Sequence, residues 1–158
     1  MSPVKALIET LRLVPHPEGG WYRETWRAPA VGDERAAATA ILFLLEAHQR
    51  SHWHRIDASE LWLWHAGDPL LLQLSANDAG PVGDIRLGPD VLAGDNPQYL
   101  VQPGEWQAAA PLPGRAGYTL VSCVVTPAFE FAGFTLAPTG WHPGSQATGP
   151  EPRGGAGG

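Results

Sequence analysis

A single cysteine cannot close an internal disulfide, so Cys123 rules out a cystine-stapled scaffold and sets the expectation of a reducing, cytoplasmic setting. Its neighbours from Val121 to Val125 are apolar, which reads as a buried structural thiol rather than a nucleophile. Charge is scarce as well: 16% of residues are Asp, Glu, Lys or Arg, with a balance of -6 at pH 7. No basic stripe interrupts that acidity, which argues against nucleic acid as a partner and leaves the charge to serve solubility. No apolar run reaches the ~18 residues that suggest a membrane span. The first residues carry no signal-peptide pattern. Helical periodicity is missing after the opening segment.

Apolar mass and frequent turn residues are what the chain does have. Hydrophobic residues make up 44% of the 158, enough for one core, while 19 Gly and 16 Pro cut the chain into short pieces. In the opening segment Ser2 can cap a helix and Pro3 suits its first position. Val4, Leu7, Ile8 and Leu11 then recur at helical spacing until Pro15 and Pro17 stop it. Strand patterns follow at 20–27, 39–45, 52–56, 60–66, 70–75, 84–88, 98–101, 106–109, 118–126 and 131–136, separated by Gly, Pro, Asp and Asn. Many short strands behind one helix predict an all-β sandwich or barrel. No linker divides the body. Residues 1–143 are therefore expected to form a single domain, with the Gly/Pro-rich 144–158 as a disordered tail.

The chemistry concentrates in SHWHRIDASELWLWHAG, residues 51–67. On a strand, residues two apart share a face. By that parity His52 and His54 point the same way. On the next strand Glu60, Trp62 and Trp64 share one side, and Leu61, Leu63 and His65 take the other. Two imidazoles, a carboxylate and two indoles would floor a small-molecule pocket. Imidazole plus carboxylate also suits a divalent transition metal (Fe, Mn, Ni, Cu or Zn) with positions left open. Without a metal the same groups are acid/base equipment, because an imidazole titrates near neutrality and can take a proton next to a carbonyl.

Other residues join as candidates. Tyr22 or Tyr99 can supply an acid. Arg23 can hold an anionic substrate group or pair with Glu24. Glu130 shares parity with Ala132, Phe134 and Leu136 and faces inward if the strand reaches it, or lies in solvent if the strand begins later. His16 and Glu18, in PHPEGG, read as turn residues, with Gly19 and Gly20 allowing positive φ. Trp26 and Trp106 read as core or subunit contacts.

Several motifs taken together resemble the cupin superfamily. His52-x-His54 followed by Glu60 and Gly67, and then PGEWQ at 103–107, is similar to its two motifs. PHPEGGWYRET, SHWHRI, AGDPL, PGEWQAA and CVVTPAFEFAGFTLA resemble its small single-domain cupin-5 type, over about residues 11–137. The resemblance implies a double-stranded β-helix, the jelly-roll barrel, usually as a homodimer with a polar central pocket. It also implies a metal set of His52, His54, Glu60 and Gln107, although Gln107 stands where the second motif has histidine and an amide oxygen is a weak ligand.

Sugar-nucleotide epimerases of the superfamily work with a histidine base and a tyrosine acid and need no metal. The leading expectation is therefore an isomerase or epimerase acting on a small polar ligand, carbohydrate-derived or keto. His52, His54 and Glu60 would be catalytic, and Tyr22, Arg23, Trp62, Trp64, Gln107 and Glu130 would bind substrate. A metal-dependent enzyme such as a dioxygenase, or a ligand-binding protein without turnover, are the alternatives.

Overall fold

The computed structural model describes residues 2–145, so most of the expected tail lies outside the described residues. Helix α1 (Pro3–Leu11) starts as its residues dictate: the Ser2 side chain accepts from the Lys5 N–H at 3.2 Å, and Pro3 takes the first turn, where no N–H is needed. It ends at Arg12, whose backbone is left-handed. Among the described residues eleven strands follow: β1 (Val14–Pro15), β2 (Trp21–Arg27), β3 (Thr39–Glu46), β4 (Ser51–Ile56), β5 (Ser59–Gly67), β6 (Leu70–Ser75), β7 (Gly83–Leu87), β8 (Gln98–Val101), β9 (Trp106–Pro111), β10 (Tyr118–Thr126) and β11 (Phe134–Leu136). They form two antiparallel sheets, β1-β2-β3-β10-β5-β8 and β11-β4-β9-β6-β7, as a jelly-roll β-sandwich. No helix among the described residues is long and apolar enough to cross a membrane.

Alternation along the strands sorts side chains between two cores. Phe43 and Leu45 of β3 face the other sheet and pack with Trp62, Leu70, Leu72, Leu74 and Val121. Leu44, between them, faces out and is equally buried, because α1 covers that face with Val4, Leu7, Ile8 and Leu11. The run Phe43-Leu44-Leu45 is thus buried on both sides of the sheet. On the outer face of the second sheet Trp53, Trp106 and Trp141 cluster, with Arg55 lying 4.6 Å from the Trp106 ring centroid.

Strand β5 skips His65 against β10, since Leu120 pairs with Ala66 and Val121 with Trp64, and three further features depart from simple alternation. Strand β2 carries a bulge, since Glu24 pairs with Ile41 and Trp26 with the adjacent Ala40. Strand β4 carries another: Ser51 pairs with Ala109 and His54 with Gln107, three steps on one strand against two on the other. The last strand is shorter than its pattern predicts, because 131–133 form a 3-10 turn before Phe134.

AGDPL is the main clamp at one end of the sandwich. Gly67 adopts φ +88°, and a side chain there would run into the Tyr118 carbonyl. This turns Asp68 inward, where its Oδ1 accepts from the Ala116 N–H at 3.1 Å and its Oδ2 from the Gly117 N–H at 2.8 Å. Its own carbonyl accepts from Thr119 and from the Trp64 indole. Asp68→Ala orphans two amides that had an ionised acceptor, a loss of about 2–4 kcal/mol, with Asp68→Asn intermediate because only one amide keeps an oxygen. Urea unfolding of the three proteins checks this ordering, and equal midpoints would show the 116–117 amides to be hydrated instead.

Candidate functional site

Between the sheets, past the Phe43 core, lies a cavity of about 360 Å³. Its floor is polar, formed by His16, Glu18, His54 and Glu60, with Cys123 beside them. Ile41, Ile56, Val125 and Tyr22 make walls, and Phe129, Phe131 and Phe134 meet edge to face around one side with centroids 5.0–6.1 Å apart.

The bulge in β4 sets the floor. Because an extra residue is inserted, His52 and His54 do not share a face. His54 points into the cavity and is 2% exposed. The His52 ring goes to the opposite side of the sheet, where its Nε2 donates to the Pro138 carbonyl at 2.9 Å beside an open groove of about 460 Å³. The parity expected for the two histidines fails for this one reason. The His52 peptide still serves the site. Its N–H donates to the Glu18 carbonyl at 2.9 Å, and its carbonyl accepts from His54 Nδ1 at 2.7 Å.

That second bond fixes the His54 tautomer. A carbonyl can only accept, so Nδ1 carries the hydrogen and Nε2 of the neutral ring has a free lone pair. Nε2 faces Glu18 Oε2 at 3.3 Å, while Glu18 Oε1 accepts from the Ser51 hydroxyl at 2.7 Å. His16 stands behind: its Nδ1 accepts from the Glu18 N–H at 3.0 Å and lies 3.8 Å from Glu18 Oε2. Burial shifts the whole group toward its uncharged forms. It raises Glu18, against His16 and the Ser51 hydrogen bond, and it lowers His54, against Glu60 and the His52 carbonyl. His16 is lowered by burial too. A single proton shared between Glu18 and His54 satisfies both groups.

Glu60 is the second acid, pushed up to about 7 by burial and by Glu18 against the nearby His54. Its Oε1 accepts from Gln107 Nε2 at 2.8 Å, and Cys123 donates to it. Gln107 is oriented in turn by Trp62, whose indole N–H donates to Gln107 Oε1 at 2.8 Å. The Cys123 thiol is held well up by burial and by Glu60, so it is an inert donor.

The structure brings together Tyr22, His54, Glu60 and Glu130 of the sequence candidates, with Gln107 behind Glu60. Glu130 sits before β11 at the cavity rim, its side chain 45% exposed and 3.9 Å from Arg35. It does not face inward among apolar neighbours, because the strand starts four residues later. Trp62 and Trp64 share the Glu60 face as expected, but they fill the core beyond the floor. Arg23 points away from the cavity and donates to the Leu11 carbonyl at 2.7 Å, holding the end of α1. Tyr99 packs against the same core as Trp62 and is not on the cavity wall.

Sequence reasoning missed His16 and Glu18 as site residues. The PHPEGG turn that suggested structure also carries chemistry, since Gly19 at φ +111° lies against the Arg50 carbonyl and lets the turn enter the end of the sandwich. Glu24 shares the Tyr22 wall by alternation and the bulge in β2 adds Arg27, which donates to Glu24 at 2.8 Å and to the Phe129 carbonyl at 3.1 Å. A glutamate next to paired glycines was the signal available for Glu18; neither bulge left one.

The expected metal set does not fit this geometry. His52 is on the other face, Gln107 turns its oxygen to Trp62 and its amide hydrogens to Glu60, and His54 Nε2 faces Glu18. Among the described residues no group of three or more His, Cys, Asp or Glu side chains converges as a metal site.

Residues 5–137 match the family model described as Cupin superfamily (DUF985). A hypothetical protein from Leishmania major is 35% identical, with a TM-score of 0.77 over 85% of this chain and 86% of its own. A Shewanella oneidensis protein is 36% identical, with a TM-score of 0.78 over 86% of this chain and 85% of its own. An oxalate decarboxylase of Bacillus subtilis shares the fold at 10% identity, with a TM-score of 0.57 over 77% of this chain and 29% of its own. No curated protein matches the sequence.

The raised Glu60 has a measurable signature. Its folded value of about 7 lies above the ordinary 4.5, so the folded state binds the proton more tightly than the unfolded chain. Its contribution is fully present below pH 4.5 and is lost as pH rises through about 7. Glu60→Gln removes that titration and keeps an acceptor for Gln107. Its stability relative to the parent rises between those limits, by at most ~3 kcal/mol. Unfolding midpoints of the pair across pH 4–8 test it, and parallel curves would put Glu60 in contact with water.

Proposed function

Because the chain belongs to the cupin superfamily through its Cupin_5 family (DUF985), we propose that it binds a small molecule in the cavity and isomerises or epimerises it by proton transfer at His54. The observation that carries this reading is the His54 ring: tautomer fixed by the His52 carbonyl, basic nitrogen turned to a buried carboxyl, and both groups on the wall of an organic-sized cavity.

The step needs no redox partner. His54 Nε2 takes a proton from a carbon next to a carbonyl; the C–H bond breaks and its electron pair moves toward the carbonyl oxygen. The Tyr22 hydroxyl, which lines the same cavity, donates a proton to that oxygen. The proton returns to the former carbonyl carbon for an isomerisation, or to the opposite face of the first carbon for an epimerisation, while an enol hydroxyl gives its proton back to the Tyr22 phenolate and becomes the product carbonyl. Glu18 faces the same nitrogen at 3.3 Å, so its carboxylate can hold the imidazolium proton once it has formed, while the ring's other nitrogen is backed by the His52 carbonyl. The base works once the shared Glu18–His54 proton has left, so activity rises with pH through the titration of that pair. Glu60 then sets how much negative charge the floor carries.

Incubating the protein in D2O with a panel of α-hydroxy and α-amino carbonyl compounds, and following C–H signals by NMR, tests this directly. Deuterium enters the carbon next to the carbonyl with the parent protein. His54→Gln lowers the rate by about 10²–10⁴-fold, the range of general acid–base catalysis. Tyr22→Phe lowers it while leaving the unfolding midpoint in place. Ligand binding without deuterium uptake across the panel would make the protein a binding module instead.

A further inference from the structure

The cavity has an uneven electrostatic lining. Two buried carboxyl groups, Glu18 and Glu60, lie on its floor, and Glu24 and Glu130 stand on its wall and rim. Its one arginine, Arg27, is committed to Glu24 and to the Phe129 carbonyl. Among the described residues Glu60 accepts only from neutral donors, the Gln107 amide and the Cys123 thiol, and Glu18 accepts from the Ser51 hydroxyl and faces two imidazoles. Burying carboxyl groups without a fixed cation is costly unless they stay protonated or a partner arrives.

We propose that the ligand supplies that charge: an organic ammonium compound whose apolar body lies against Phe129, Phe131 and Phe134 and whose nitrogen faces Glu60. This rests on the reading of the cavity as a small-molecule site and names the class of molecule it takes.

Three observations favour an organic cation over its rivals. The walls are aromatic and aliphatic, and aromatic faces attract a positive charge as well as an apolar body. The volume, about 360 Å³, is that of a site for an organic molecule. The acidic groups do not converge to coordinate a bare metal ion among the described residues. An anionic ligand, such as a phosphate ester or a carboxylate, would meet Glu18 and Glu60 with no unpaired arginine or lysine among the described residues of the lining to receive it. Neutral ligands fit the walls but leave Glu60 without a counter-charge.

Three probes of one shape and different charge separate these classes: benzylamine, ionised as benzylammonium at pH 7.5, then benzyl alcohol and benzoate. Each is titrated by calorimetry into the parent, Glu60→Gln, Glu18→Gln and the cavity-filling Ile41→Trp. The proposal expects benzylammonium to bind the parent at least about tenfold more tightly than benzyl alcohol, equivalent to ~1.4 kcal/mol, with benzoate weakest. Glu60→Gln removes that advantage and leaves benzyl alcohol within about twofold, because only the charge interaction is gone. Ile41→Trp weakens both. Benzyl alcohol or benzoate binding as tightly as benzylammonium, and weakened by Ile41→Trp, overturns the charge class and leaves the cavity reading standing. Benzylammonium binding unchanged in both glutamine variants overturns the proposal, and no binding by any probe overturns it together with the cavity reading.

Discussion

The extra residue in β4 leaves the His52 peptide without a place in the ladder to β9, and its two polar groups go to the site instead. The N–H holds the Glu18 carbonyl and so draws the β1–β2 turn into the end of the sandwich. The carbonyl holds His54 Nδ1 and so aims Nε2 at Glu18. Both carboxyl and imidazole are therefore positioned by the backbone of a single residue, through bonds that buried backbone groups must make in any case. The turn can follow only because Gly19 and Gly20 accept positive φ where a side chain would strike Arg50 or Leu45.

A site built this way works against the stability of its surroundings. Among the described residues Glu18, His54 and Glu60 are buried without a lysine or arginine, and the fold tolerates them by shifting the acids toward their protonated forms and by giving each a neutral donor. The Trp62–Gln107–Glu60 chain is the clearest instance. An indole donor fixes the amide, and the amide then has only hydrogens to offer the carboxyl. Titratable groups shifted by burial toward neutrality and gathered on one cavity are characteristic of sites that move protons or wait for a charge.

Much of the fold was legible because it rests on period and punctuation. The strands 70–75, 98–101 and 118–126 were read with the bounds they have, and Ser2-Pro3 announced α1 through its cap. The site was legible where alternation held, as it did for Glu60, Trp62 and Trp64. It failed at β4 and β2, where one inserted residue reverses every later side chain. His52 left the site for that reason, and Arg27 entered it. Glu18 escaped because a turn residue is read locally, whereas its partners Ser51, His52 and His54 lie more than thirty positions away and only the tertiary structure reveals them.

The two faces of β4 are consequently not separable. Outside, the His52 ring is tied to Pro138 along a groove walled by Trp53 and Trp141; inside, its peptide sets the tautomer of His54. Sequence drift in the groove is therefore not free, even where it touches no cavity residue: a change that releases the outer ring removes one restraint on the residue whose carbonyl sets the His54 tautomer.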